Sequence, residues 1–353
     1  MECRKCLNST KNPAIKILEN GLCEICDLYK SNFDAHSLKE EKELFDAFVG
    51  KGKKYDIMAG ISGGKDSSAM LYTLKKMGFR PLAFTFDIGY YPKHEFLRAS
   101  EVANELGVDH VVIKIQKYLN NNDLVAYKRT AELYSRNYSK KLKGDFMRIY
   151  SEGHKYYSVR TKSSRPVVRT CQLCRRAVIR AYYREAKIRG IPVVALAMNE
   201  WAGLSQDYKN HEKYKFSSIR LIKPNHMGAS ISVVHVPFML QRKLPDTLRI
   251  LDRMGWLPPK GERLVESNAN SCLFAKAAES KAKRLLGFHP DTPRISREIT
   301  VGFITRKQGM AALNETHKSR KSVRQVLEES GIFRSVYKRV IKSHHFFPIR
   351  TFL

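Results

Sequence analysis

A chain of 353 residues with 43% hydrophobic and 10% aromatic content can bury a full core, which excludes wholesale disorder. No apolar run approaches the roughly 20 residues that span a bilayer, and Met1-Glu2-Cys3-Arg4-Lys5-Cys6 does not read as a signal peptide, so no membrane and a cytoplasmic location are expected. The formal net charge is +30, from 64 Lys and Arg against 34 Asp and Glu, and a field of that sign attracts polyanions.

The first cysteines, Cys3, Cys6, Cys23 and Cys26, follow the pattern C-x2-C-x16-C-x2-C, and Asn20-Gly21 supplies a turn before the second pair. Paired cysteines in a reducing compartment read as metal ligands, and this short segment has no apolar core to fold it otherwise, so a structural Zn²⁺ module over 1–35 is expected. A dithiol redox pair lacks the strand-helix-strand context it needs. Ser37 and Glu40 have capping-box spacing, and Leu38, Leu44, Phe45 and Phe48 give the next helix an apolar side before Gly50.

The apolar segment Tyr55–Ile61 then runs into Ser62-Gly63-Gly64-Lys65-Asp66-Ser67-Ser68. Glycines let the backbone approach an anion, and the N-terminus of a following helix adds partial positive charge. That helix is legible from Ala69, Met70, Thr73, Leu74 and Met77, with Gly78 as its stop. The run departs from the Walker A pattern, with Ala59 where a glycine belongs and Asp66 where Ser or Thr belongs. Further strands are expected at Pro81–Asp87, His110–Ile115, Ile191–Ala197 and Ile231–Val236, with helices at Lys93–Leu106 and Arg175–Arg189. Such alternation predicts an α/β fold, a doubly wound parallel five-stranded sheet with nucleotide at the carboxyl ends of its strands. Asp87 ends one strand, where it either meets the adenosine half of a nucleotide or caps a turn, and Asn199 follows another. The stretch from Asn120 to Arg169 is long, basic and weakly periodic toward its end, which predicts a mobile insertion over the site.

From Gly153 through Arg184 there is no acidic residue, while Lys155, Arg160, Lys162, Arg165, Arg169, Arg175, Arg176, Arg180 and Arg184 all lie there. Tyr156, Tyr157, Tyr182 and Tyr183 are interleaved as stacking partners for bases would be, and the run points to RNA. Cys171 and Cys174 open a helix beside Arg169, Arg175 and Arg176, a setting expected to favour thiolate. Cys272 is distant in sequence, so only folding brings it to the pair. Three thiols are one short of a closed set and leave a position open for chemistry, although Cys272 alone would also suit a buried apolar position. A persulfide on Cys171 or Cys174, resolved by Cys272, is the other reading. Beyond about residue 240 the chain reads mainly helical. Phe333, Val336, Tyr337, Val340 and Ile341 form an apolar stripe opposite Arg334, Lys338 and Lys342.

The loop at Ser62–Ser68 resembles the PP-loop, S-G-G-x-D-S, of the ATP pyrophosphatase superfamily, whose members cut ATP between its α and β phosphates. With Cys171-Gln172-Leu173-Cys174, the strand before Asn199 and the later Cys272, the chain resembles the tRNA 2-thiolation enzymes of that superfamily over roughly 1–275. The resemblance implies an adenine nucleotide alpha hydrolase-like PP-loop ATP-binding domain over 36–240 and a helical region over 241–353. It implies ATP and Mg²⁺ on Ser62, Gly63, Gly64, Lys65, Asp66, Ser67, Ser68, Asp87 and Asn199, with Lys65 and Asp66 catalytic. It implies a [4Fe–4S] cluster on Cys171, Cys174 and Cys272, with tRNA and a sulfur donor as partners; a homodimer stays open. The chain departs from those enzymes in Ala197-Met198-Asn199-Glu200-Trp201 after the fourth strand and in lacking a second knuckle pair near the C-terminus. The N-terminal cysteines and the loop also resemble N-acetyl sugar amidotransferases, which implies an alternative activity on a sugar or other small molecule; the central cysteines favour sulfur.

Overall fold

The structure, a computed structural model, describes residues 1–155, 164–206, 210, 213–223, 230–258, 264–315 and 317–333. Arg160, Lys162, Tyr156, Tyr157 and the stripe beyond Phe333 lie outside the described residues.

All five strands read from the sequence form, as β1 (Ile57–Gly60), β2 (Pro81–Asp87), β3 (His110–Lys114), β4 (Val193–Leu196) and β8 (Ile231–His235), and they pair in parallel. A sixth strand, β7 (Ile219–Ile222), adds antiparallel to β8, giving the order β3-β2-β1-β4-β8-β7. Arg220 interrupts its apolar pattern and Leu221 faces solvent, as an edge strand allows. A separate pair, β5 (Gly203–Gln206) with β6 (Tyr214–Ser217), stands outside this sheet. The chain moves outward from β1 to β3 and then returns to place β4 on the other side of β1. The strand order therefore reverses between β1 and β4, and the crevice at their carboxyl ends is the natural nucleotide position.

Both faces of the sheet are covered, so its central strands are apolar throughout. Met58, Phe84, Val194 and Val233 point into one core, and Ile57, Ala83, Val193 and Val234 into the opposite one. The second core is closed by α3 (Lys65–Lys76) and α4 (Lys93–Glu105). The first is closed by α5 (Asn121–Ser135), α7 (Cys171–Ile188), α10 (Leu273–Leu286) and α13 (Val323–Glu329).

Two expectations change. Up to Lys155 the stretch after Asn120 is helical rather than an irregular insertion, forming α5 and α6 (Lys140–Lys155) and started by a reciprocal Asn120/Asp123 capping box, while 156–163 lie outside the described residues. Tyr127, Tyr134, Phe146 and Tyr150 are buried along these helices, and large aromatic area is what fixes them. The helix expected at Ser37 begins earlier, as α2 (Ala35–Asp46), because Asp34 accepts the His36 N–H at 2.9 Å and is its cap; Leu44 on it is exposed.

The four N-terminal cysteines share a third core with Ile295, Ile299, Val301 and Phe303. The isoleucines belong to α11 (Thr292–Thr300), part of a helical C-terminal region with α9 (Leu244–Arg253), α10, α12 (Arg306–Asn314) and α13. Among the described residues no helix is long and apolar enough to cross a membrane.

Asp56 locks the beginnings of β1 and β2 together, accepting from the N–H groups of Gly52 and Arg80 and from the Arg80 guanidinium at 2.8 Å. Burial alone would raise its pKa, but these donors outweigh it and hold the carboxyl at about 2, below its ordinary 3.8. A depressed carboxyl stabilises the fold fully above its unfolded value and loses that contribution as pH falls toward 2. Discounted for solvent screening near the surface, the contribution is roughly 1 kcal/mol. Urea unfolding of wild type and Asp56→Asn should therefore show a stability gap at neutral pH that narrows on approaching pH 2.

Candidate nucleotide and thiol site

β1 delivers the loop into the crevice, and Gly63 makes the turn. Its φ is +76°, and a Cβ there would lie 2.8 Å from Arg98 Cγ and 2.9 Å from the Ala99 nitrogen, so only glycine fits. Gly64 caps α3 without a side-chain hydrogen bond, which leaves the first-turn N–H groups for a ligand. Ser62 and Ser67 are hydrogen-bonded, and Ser67 and Ser68 donate to the Gly64 and Gly63 carbonyls at 3.0 and 3.2 Å. The Trp256 indole N–H donates to the Gly63 carbonyl at 3.2 Å, a brace from the C-terminal region that the sequence did not advertise.

Lys65 pairs with Asp66, and its ammonium lies 5.5 Å from the centre of the Phe303 ring. Asp66 Oδ1 is buried without a hydrogen-bond partner among the described residues, as is Asn199 Oδ1 at the end of β4. Both are acceptors open to a cation or a donor. Asp87 instead accepts the Gly89 N–H at 2.9 Å, which makes it a turn cap here.

Cys272 lies in the core against which Cys174 packs, within electrostatic reach of Cys171 and Cys174. Cys272 caps α10, where its sulfur accepts the Ala275 N–H at 3.4 Å, while the other two open α7. Each of Tyr90 and Tyr91 lies within the electrostatic reach of Cys174 and Cys272. The Tyr90 hydroxyl bonds the Cys174 sulfur and lies 3.0 Å from the Tyr127 hydroxyl, and the Leu273 N–H donates to the Tyr90 carbonyl. These tyrosines were missed in the sequence; the Gly89-Tyr90-Tyr91 turn after β2 was the available signal.

The expectation of low thiol pKa values is overturned. Burial pushes Cys171 and Cys174 up and Cys272 to about 12, and Arg169 offsets only part of this at Cys171. Of the arginines expected to help, Arg169 is itself buried, and burial lowers the pKa of Arg176. Uncharged thiols are the resting state unless a positive centre joins them.

A line of buried charge connects loop and thiols. On α11, Glu298 accepts from Arg294 at 2.7 Å, and burial raises its pKa against the opposing pull of Arg294 and Lys65. Arg294 is held charged by Glu298 and Asp291 against the cost of burial. Arg297 pairs with Glu200, next to Asn199. The sequence reading missed these α11 residues because a nine-residue helix far from any motif carries no local signal.

Cys3, Cys6, Cys23 and Cys26 are buried with ligand atoms all within 4.8 Å of one another, a property the second thiol group does not share. Hydrogen bonds from Cys26 and Cys6 pull Cys23 down to about 2, and the Cys23 contact pushes Cys6 up to about 12. Four such neighbours ionise together only around a cation, so the donor set fits a metal ion. The basic run around Cys171 is partly internal: Arg180 pairs with the buried Asp123, and Tyr182 packs on Phe84 and Phe86.

Gly63→Ala should cost at least about tenfold in nucleotide affinity through backbone strain, with the four-cysteine metal retained; titration with an ATP analogue alongside metal analysis checks this.

The family model described as queuosine biosynthesis protein QueC matches residues 56–146. An uncharacterized protein of Methanocaldococcus jannaschii is 21% identical over 338 residues, covering 94% of this chain and 99% of that one. A second uncharacterized protein of that organism is 38% identical over 65 residues, 18% of this chain and 32% of its own. The 7-cyano-7-deazaguanine synthase of Psychromonas ingrahamii is 46% identical over 54 residues, 15% of this chain and 24% of the enzyme. With β1, the glycine loop and α3 inside the matched segment, residues 56–146 form a domain similar to the PP-loop ATP pyrophosphatases.

Proposed function

We propose that this protein is an ATP-dependent sulfurtransferase that replaces a carbonyl oxygen of a nucleobase, in tRNA, with sulfur. What supports the reading is that Cys272 shares a core with Cys174 within electrostatic reach of Cys171, at one end of a line of charged groups whose other end is Lys65 and Asp66. The names of the relatives support a nucleobase acceptor, and the net charge of +30, with Lys140, Lys141 and Lys143 exposed along α6, supports a polyanionic carrier.

In this mechanism the base carbonyl oxygen attacks the α-phosphorus of ATP, the α–β bond breaks, and pyrophosphate leaves. The first-turn N–H groups of α3 and the Lys65 ammonium stabilise the charge that gathers on that leaving group. Lys65 must exchange Asp66 for phosphate to do so, and Asp66 Oδ1 is then placed to hold Mg²⁺. A sulfur nucleophile adds to the activated carbon, and AMP departs with the original oxygen. Cys171, Cys174 and Cys272 would hold the [4Fe–4S] cluster, which supplies an open iron for the incoming sulfur when bound. Cys272 is buried and Cys171 and Cys174 are half-buried, which limits the access of water to that position. The four N-terminal cysteines would hold Zn²⁺ as thiolates, in a structural role without redox chemistry.

A second reading, transfer of nitrogen to a nucleobase-like or sugar small molecule, is favoured by the match to 7-cyano-7-deazaguanine synthase. The central thiols separate the two. Lys65→Ala should lower release of AMP and pyrophosphate by at least about 10²-fold, and appearance of ADP instead would refute cleavage at the α-phosphate. Cys272→Ser should keep substrate-dependent pyrophosphate release and lose thiolated product. A variant that still forms its product at the wild-type rate would pass the assignment to nitrogen.

A further inference from the structure

The four-cysteine group does not stand apart from the ATP site. Cys26 Sγ lies 3.1 Å from the hydroxyl of Thr300, the last residue of α11, and both are buried. Arg306, first in α12, donates to the carbonyls of Cys3 and Cys6, so the metal loops hold both ends of the 301–305 turn. That turn carries Phe303, whose ring underlies the Lys65 ammonium. Lys243 and Leu244 pin it further, donating to the carbonyls of Val301 at 2.8 Å and Phe303 at 3.2 Å. One short path therefore runs from a metal ligand to the lysine of the phosphate loop.

The Thr300 hydroxyl lies 2.7 Å from the Ser296 carbonyl and 3.1 Å from Cys26 Sγ, so it reaches both partners. A metal-bound Cys26 is a thiolate, which only accepts. Thr300 must then turn its hydroxyl toward the thiolate, an outer-shell bond of the kind that fixes metal ligands. Metal loading thus changes the bond at the end of α11, two residues from Glu298 and three from Phe303.

We propose that metal occupancy of the four-cysteine group and nucleotide occupancy of the PP-loop are coupled through Thr300 and Phe303, with metal strengthening nucleotide binding and nucleotide strengthening metal binding equally. Thr300 and Phe303 are positioning residues: they touch neither reacting atom, and they set where Lys65 rests. The inference relies on the PP-loop being the ATP site, and reciprocity follows from linkage.

The test is a chelator competition for Zn²⁺ on the full-length protein, with and without saturating α,β-methylene ATP. Wild type should bind Zn²⁺ roughly tenfold more tightly with the analogue present. Thr300→Val and Phe303→Leu should each still bind Zn²⁺ and show the same affinity in both conditions; Phe303→Leu lies outside the metal site and guards against a variant that misfolds there. Equal Zn²⁺ affinity in wild type with and without bound analogue overturns the coupling and leaves the proposed function standing. An analogue that fails to bind metal-loaded wild type overturns both.

Discussion

Helix α11 has to bury two chemically opposed faces at once, and the rest of the site depends on how it does so. Ile295 and Ile299 enter the core of the cysteine module, while Arg294, Arg297 and Glu298 enter the crevice. Apolar burial is favourable by itself, but buried charges are tolerated only in pairs, and an unpaired one would cost several kcal/mol. The Arg297–Glu200 pair and the bond from Arg294 to the Glu266 carbonyl therefore specify the depth and rotation of α11. They place one wall of the nucleotide crevice and one wall of the thiol pocket on a single short helix.

This arrangement explains why the three central cysteines are held uncharged. Burial removes the solvent that would stabilise thiolate, and at Cys171 the nearby Asp291 and neighbouring thiols add repulsion. Asp291 itself stays ionised, because Arg294, His289 and the Asn268 N–H outweigh its burial. A positive centre among the thiols would reverse this balance.

Local patterns carried most of the fold. Continuous apolar runs such as Ile57–Ala59 and Val193–Ala195 announce strands covered on both faces, and glycines at 63, 78 and 190 mark turns because their φ angles are positive. The glycine loop and the C-x2-C pairs were legible because their chemistry is written in consecutive residues. What was not legible depends on tertiary contact: the edge strand at Ile219–Ile222, the helix under Lys140–Lys155, the tyrosines on Cys174, and the charges of α11. Arg180 shows the limit well. In the sequence it belongs to a basic run that suits RNA, yet in the fold it neutralises Asp123, whose own role is to start α5. Surface lysines, rather than that run alone, carry the basic field.

The central claim, that activation by ATP and insertion of sulfur share one pocket, is tested most directly by mass spectrometry of tRNA nucleosides from cells in which the gene is deleted, with and without complementation. The account predicts that one thionucleoside disappears on deletion, returns with the wild-type gene and stays absent with the Cys171→Ser gene. A complete set of thionucleosides in the deleted cells would contradict it.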